Sequence, residues 1–146
     1  MRKITISIEC INKLIDSCEK AYPYEVCGVL LGNKDRISDI RILENLEEKK
    51  KARVFFSISP LEIYKQEKEA EKEALELIGF YHSHPDYEAF PSVEDAEHMI
   101  PGMVNLIVSL TKASYNSGSE AYKEKIRGYI KDSTGSAVKE LIIQGE

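Results

Sequence analysis

The sequence predicts an α+β protein, a single mixed β-sheet flanked by helices. Apolar runs with the two-residue period of strands are interspersed with stretches of helical period, in no regular strand–helix–strand rhythm. The length is 146 residues, so residues 1–146 are expected to form one domain. At 42% hydrophobic and 31% charged residues, the chain can fill a core without staples.

The elements follow in order. Lys3 to Ser7 reads as a short strand, and Ser7 can cap a helix whose apolar residues fall at Ile8, Ile11, Leu14, Ile15 and Cys18. That helix ends near Ala21, before Pro23. Val26 to Leu31 is a compact apolar run read as a buried strand, and Ile37 to Leu43 is a more polar one. Glu44 to Arg53 is a charge-rich connection, and residues 54–58 are a further strand. Ser59-Pro60-Leu61-Glu62 combines a capping serine, a first-turn proline and a glutamate three residues on. It predicts a helix running to about Leu77, with Ala70, Ala74 and Leu77 on one face. Ile78 to His84 reads as a strand stopped by Pro85, and Ser92 to Met99 as a short helix. Val104 to Leu110 alternates as a central strand does, and Ser114 to Ser119 reads as a loop. Tyr122 to Ile130 and Ala137 to Ile143 are two last strands, joined by a turn at Ser133-Thr134-Gly135.

Composition excludes several functions. A net charge of −5, from 25 acidic and 20 basic side chains, argues against a dedicated nucleic-acid binder. No apolar run approaches the ~18 residues that span a bilayer, and the first residues lack the apolar stretch of a secretory signal. Cys10, Cys18 and Cys27 are odd in number and lack CxxC spacing, so neither a disulfide framework nor a zinc knuckle is expected. They read as small buried hydrophobes of a cytoplasmic protein, a monomer or small homo-oligomer with no membrane partner.

The informative stretch is Tyr81-His82-Ser83-His84-Pro85-Asp86, followed by Pro91-Ser92-Val93-Glu94-Asp95. Two histidines at i and i+2 on a strand share one face, the geometry needed to chelate one ion. A catalytic zinc site needs three protein ligands and an open position. Asp86, Asp95, His98, Glu25 and Cys27 are all candidates for the third. Ser92 to Asp95 also reads simply as a helix cap, a role compatible with Asp95 facing a metal. The HxHxDH pattern of metallo-β-lactamase-like enzymes fits poorly, because Tyr87 stands where its last histidine belongs. A zinc deaminase would need an H-x-E and a P-C-x-x-C, and no cysteine follows Cys27.

The complete pattern resembles a known family. Glu25, a long gap, His82-x-His84, seven residues and Ser92-x-x-Asp95 are similar to the JAMM motif of the JAB/MPN metalloproteases. Tyr22-Pro23-Tyr24-Glu25-Val26-Cys27-Gly28 is similar to the family's first motif, and Gly79 to Pro85 to its central strand. The resemblance runs from the first helix to Leu110 and marks a small prokaryotic-type member. It implies the MPN (JAB/JAMM) fold, cytidine-deaminase-like in architecture. It implies that His82, His84 and Asp95 hold one Zn2+ per chain, with the fourth place left to water. Glu25 would be the general acid/base and Ser92 would donate to the developing oxyanion. Cys27 would pack beneath the site.

The resemblance also implies a substrate. Family members cut the isopeptide or peptide bond after the C-terminal Gly-Gly of ubiquitin or ubiquitin-like proteins. Small prokaryotic members act on β-grasp sulfur carriers of the ThiS/MoaD type or on archaeal ubiquitin-like modifiers. An extended tail with no side chains to grip is expected to pair with a strand edge, placed near Glu44 to Phe56. The loop from Asp86 to Pro91, with Tyr87 and Phe90, is expected to border the cleft. Two rival readings are a non-catalytic MPN scaffold that binds partners and a zinc hydrolase of a small-molecule amide. All five motif positions are filled, which favours the protease.

Overall fold

A computed structural model describes residues 2–43, 59–110 and 125–146. The expected connection over Glu44 to Arg53, the strand over 54–58, the loop over Ser114 to Ser119 and the substrate edge near Glu44 to Phe56 lie outside them.

Strand β1 (Lys3–Ile6) leads into helix α1 (Ile8–Ala21). The Ser7 side chain accepts a hydrogen bond from the Cys10 amide, the expected cap. Strands β2 (Cys27–Asn33) and β3 (Arg36–Leu43) form a hairpin, and α2 (Pro60–Lys72) precedes β4 (Glu76–His84). Helix α3 (Val93–His98), β5 (Val104–Ser109), β6 (Ile126–Lys131) and β7 (Val138–Gly145) complete the described elements. The sheet order is β1-β3-β2-β4-β5-β6-β7, and β7 closes back on β1 as a barrel. The sheet is mixed as expected: β1/β3, β1/β7 and β4/β5 are parallel and the other neighbours antiparallel. The closing contact of β1 with β3 is short, confined to Thr5 with Arg36 and Ile6 with Ile37.

One face of the sheet builds the main core with α1, where Cys10, Ile11, Leu14 and Cys18 meet Ile4, Ile6, Leu30, Tyr81 and Leu106. Ile8, expected in that stripe, is exposed instead. A second cluster joins Val29, Leu31, Leu43 and Phe80 to Ala70 of α2. A third joins Ala89 and Met99 to Ile107 and Tyr129. Gly28 is required by packing, because a Cβ there would collide with the Tyr81 ring and the Arg41 carbonyl.

Helix α2 departs from expectation at both ends. Ser59 makes no side-chain cap bond, and Glu62 is engaged by Gln66 one turn on rather than reaching back. The helix stops at Lys72, short of Leu77, because Ala74 takes φ 60. There the Leu75 amide bonds the Ala70 carbonyl and the Ala74 amide the Glu71 carbonyl, a Schellman motif. Leu77 then belongs to β4, paired with Leu31.

Candidate metal centre

The site forms at the C-terminal end of β4, where the parallel pairing with β5 stops and the chain leaves the sheet at Pro85. His82 and His84 project from the face that carries Phe80. By register His82 lies between Cys27 of β2 and Ile107 of β5, and His84 beside Ser109. Both histidines are buried. The third member arrives from α3. Ser92 Oγ accepts the Asp95 amide at 3.0 Å and Asp95 Oδ2 accepts the Ser92 amide at 2.8 Å, a closed capping box. The same carboxylate reaches the histidines, with Oδ1 3.2 Å from His82 Nε2 and Oδ2 3.0 Å from His84 Nε2. Capping and facing the histidines are thus one conformation of Asp95.

Of the residues singled out as possible ligands, the structure brings together His82, His84 and Asp95, with one candidate ligand atom from each all within 4.8 Å of one another. Asp86 instead accepts a 2.6 Å hydrogen bond from Tyr22 Oη. His98 bonds the Glu94 carbonyl through Nδ1 at the exposed end of α3. Cys27 is fully buried, and burial, followed by the Glu25 charge, pushes its thiol up to about 12. Glu25 stands on the irregular segment before β2 and is only 4% exposed. Burial first, and then the Asp95 charge, push its carboxyl up to about 8, against a hydrogen bond from Tyr87 that acts to lower it.

The donor set fits a zinc ion. His84 Nδ1 faces the Glu88 carbonyl at 2.8 Å, and a carbonyl only accepts, so Nδ1 carries a proton. The lone pair of a neutral His84 is then on Nε2, aimed at Asp95 Oδ2. Two acceptors face each other at 3.0 Å unless a cation lies between them. Burial lowers the proton affinity of His82 despite the neighbouring Asp95, which favours the neutral form that binds metals. Burial acts to raise Asp95, but the His82 imidazole, the facing His84 ring and the Ser92 amide outweigh it and hold the carboxyl well below its usual range. Two imidazole nitrogens and one carboxylate oxygen are a common zinc set.

Several contacts had no sequence signal. The loop after Pro85 is pinned at successive residues. Ser109 Oγ donates to the Tyr87 carbonyl at 2.7 Å, the Glu88 carbonyl accepts a hydrogen bond from His84 Nδ1, and Tyr129 Oη donates to the Ala89 carbonyl at 2.7 Å. The Tyr87 ring lies against His84 with centroids 4.5 Å apart. The Phe90 ring lies under the Arg127 guanidinium.

The family described as prokaryotic homologs of the JAB domain matches residues 7–123. The chain is 34% identical over 102 residues to the desampylase of Pyrococcus furiosus, covering 70% of this chain and 71% of that one. It is 34% identical over 138 residues to the Lys-63-specific deubiquitinase BRCC36 of Camponotus floridanus, covering 86% of this chain. It spans about half, 53%, of that longer relative. In fold it resembles the JAB1/MPN domain protein of Archaeoglobus fulgidus, with TM-score 0.62 at 19% identity over 99% of this chain and 98% of the other. No described helix is long and apolar enough to cross a membrane.

Proposed function

The chain belongs to the family of prokaryotic JAB-domain homologs, and from that premise we propose that it hydrolyses the amide bond after the C-terminal glycines of a ubiquitin-like protein. It is an isopeptidase of the JAMM type. The observation that carries the reading is the convergence of His82, His84 and Asp95 on one point, with Glu25 buried beside them and outside the ligand set. Relatives named desampylase and deubiquitinase support a ubiquitin-like partner. A β-grasp sulfur carrier of the ThiS/MoaD type is the substrate class we favour, in a cytoplasmic setting.

His82, His84 and Asp95 would hold one zinc per chain. When bound, zinc supplies Lewis-acid activation of water and of the scissile carbonyl. Glu25 takes a proton from the attacking water and returns it to the leaving amine nitrogen as the carbon–nitrogen bond breaks. Ser92 accepts the Asp95 amide and keeps its own hydroxyl proton to donate to the carbonyl oxygen as it gains charge.

The test is cleavage of a ubiquitin-like protein joined through its Gly-Gly terminus to a reporter, with the fragments read by mass. Cleavage after the second glycine, abolished by a chelator and restored by zinc, is expected. Glu25→Gln should keep its zinc and lose roughly 10²–10⁴-fold in turnover. Chelator-resistant cleavage, cleavage elsewhere or no cleavage would overturn the reading.

A further inference from the structure

Strand register puts part of β6 on the same sheet face as the histidines. His82 pairs with Ile107 of β5 and Ile107 with Arg127 of β6, so these side chains share that face. The two-residue period of the strand adds Tyr129 and Lys131 to it. All three reach the stretch of chain that runs from the loop after Pro85 into α3. The Arg127 guanidinium lies 5.0 Å from the centroid of the Phe90 ring. Tyr129 Oη donates to the Ala89 carbonyl at 2.7 Å, and Lys131 Nζ donates to the Ala96 carbonyl at 2.8 Å. Tyr129 is buried, in one cluster with Ala89, Met99 and Ile107. Lys131 supplies a donor to the last turn of α3, where carbonyls lack intrahelical partners. The Lys131 carbonyl also accepts the Gly102 amide at 3.0 Å, which ties the chain beyond α3 to the same strand.

Both held carbonyls sit next to a group that meets the histidines. Ala89 follows Glu88, whose carbonyl accepts from His84 Nδ1, and Ala96 follows Asp95, whose carboxylate faces both rings. We infer that Tyr129 and Lys131 are positioning residues for the metal centre, Tyr129 acting through Glu88 on the His84 ring and Lys131 acting through Asp95. This rests on the reading of His82, His84 and Asp95 as the zinc ligands. The planar peptide leaves two soft dihedrals per residue, so a carbonyl fixed at 89 or 96 limits the freedom of the residue before it. A metal site tolerates only about 0.2 Å in its ligand distances. Loosening either hold should therefore weaken metal binding while the chain stays folded.

Tyr129→Phe deletes one oxygen and keeps the ring in its cluster. Lys131→Met keeps the apolar stem and deletes the donor. Zinc affinity is measured on the folded, metal-free proteins by competition with a chromophoric chelator, and site geometry by the visible spectrum of bound Co2+. Each variant should bind zinc about 10-fold more weakly and should shift or weaken the Co2+ bands, as expected for a group that orients metal ligands. Lys131→Arg retains a cationic donor and should recover most of the affinity. Arg127→Gln is the control from the same face, because Arg127 contacts the Phe90 ring and the Glu140 carboxylate rather than a carbonyl beside Glu88 or Asp95. Its zinc affinity should stay within about 2-fold of the unaltered protein, with the same Co2+ spectrum. Circular dichroism before metal addition checks the fold of each. Unchanged affinity and spectrum in either Tyr129→Phe or Lys131→Met, or an equal loss in Arg127→Gln, would overturn the inference while leaving the proposed function standing. Full zinc affinity in both His82→Ala and His84→Ala would instead overturn the ligand reading, and this inference with it.

Discussion

His84 donates an Nδ1–H hydrogen bond to the Glu88 carbonyl at 2.8 Å, which leaves Nε2 facing Asp95 Oδ2 at 3.0 Å. A backbone carbonyl four residues along the chain thereby selects the tautomer that can bind a metal. Such partners fix ring orientation and ligand basicity at metal centres. The loop after Pro85 is therefore part of the site even though it contributes no ligand of its own.

The ligand assignment predicts metal content residue by residue. His84→Ala and Asp95→Asn should each lose zinc and turnover together, because a missing imidazole or a neutral amide leaves too few good donors. The fold should persist, since α1 and the main core lie on the other face of the sheet. Metal analysis and circular dichroism on one preparation check this. Stoichiometric zinc in both His82→Ala and His84→Ala would remove the site.

Ser92 combines two roles that one pair of variants can separate. Ser92→Ala should retain zinc, lose about 10²-fold in turnover as one oxyanion donor, and lose about 1 kcal/mol of stability as a cap. Ser92→Asp should restore the cap, because its carboxylate can accept the Asp95 amide, but it has no hydroxyl to donate. Stability recovering without turnover is the expected outcome, read from thermal midpoints and rates. Recovery of both would leave Ser92 a cap alone.

The parts legible in the sequence were those written in local spacing. The His82-x-His84 pair on a strand, the Ser92-x-x-Asp95 box and the Ser7 cap each depend on residues within a few positions of one another, so pattern alone indicates their geometry. The barrel closure does not, because β1 meets β7 from opposite ends of the chain and nothing local in either strand specifies the pairing. Tyr87 illustrates the limit at the site. Its place between the two histidines and Ser92 suggests a cleft border, but the bond from Ser109 Oγ to its carbonyl depends on two distant segments meeting. Ala70, Ala74 and Leu77 keep a helical period across the point where α2 stops, so spacing alone does not mark its end. A glycine at 74 would have given the stop away, but an alanine does not.

Without metal, Glu25 should make stability depend on pH. Its carboxyl is raised from 4.5 to about 8 in the folded protein, mainly by burial. Between those values the unfolded chain releases the proton while the folded protein keeps it, so stability falls as pH rises and the loss is complete above about 8. His82 acts in the opposite sense. Its folded affinity is lowered by burial, so it costs stability as pH falls below its ordinary value of 6.5. Glu25→Gln isolates the first effect. Relative to the unaltered protein it should gain little at pH 4 and a few kcal/mol at pH 8, since each pKa unit is worth about 1.4 kcal/mol. Saturating zinc should shrink the difference, because a nearby cation favours the ionised carboxylate. Denaturant unfolding of both metal-free proteins across pH 4–9 measures this, and a gap that does not widen with pH would refute it.

Ala74 offers a prediction on stability alone. It sits at φ 60, in the left-handed region that L-residues with a Cβ adopt at a cost, and it is exposed and outside the site. The Schellman bonds from Ala74 and Leu75 fix that conformation, because they satisfy the last carbonyls of α2 and turn the chain into β4. Glycine adopts the same φ without the Cβ penalty but loses more backbone freedom on folding, so the two effects partly offset. Ala74→Gly should still stabilise by about 0.5–1 kcal/mol, a rise of about 1–4 °C in thermal midpoint for a domain of this size. Ala74→Val should do the reverse, because a β-branched side chain tolerates positive φ least. Turnover and zinc content should be unchanged in both. A midpoint that falls in Ala74→Gly would mean that the alanine is not strained there and that the helix end is held by its packing on β4.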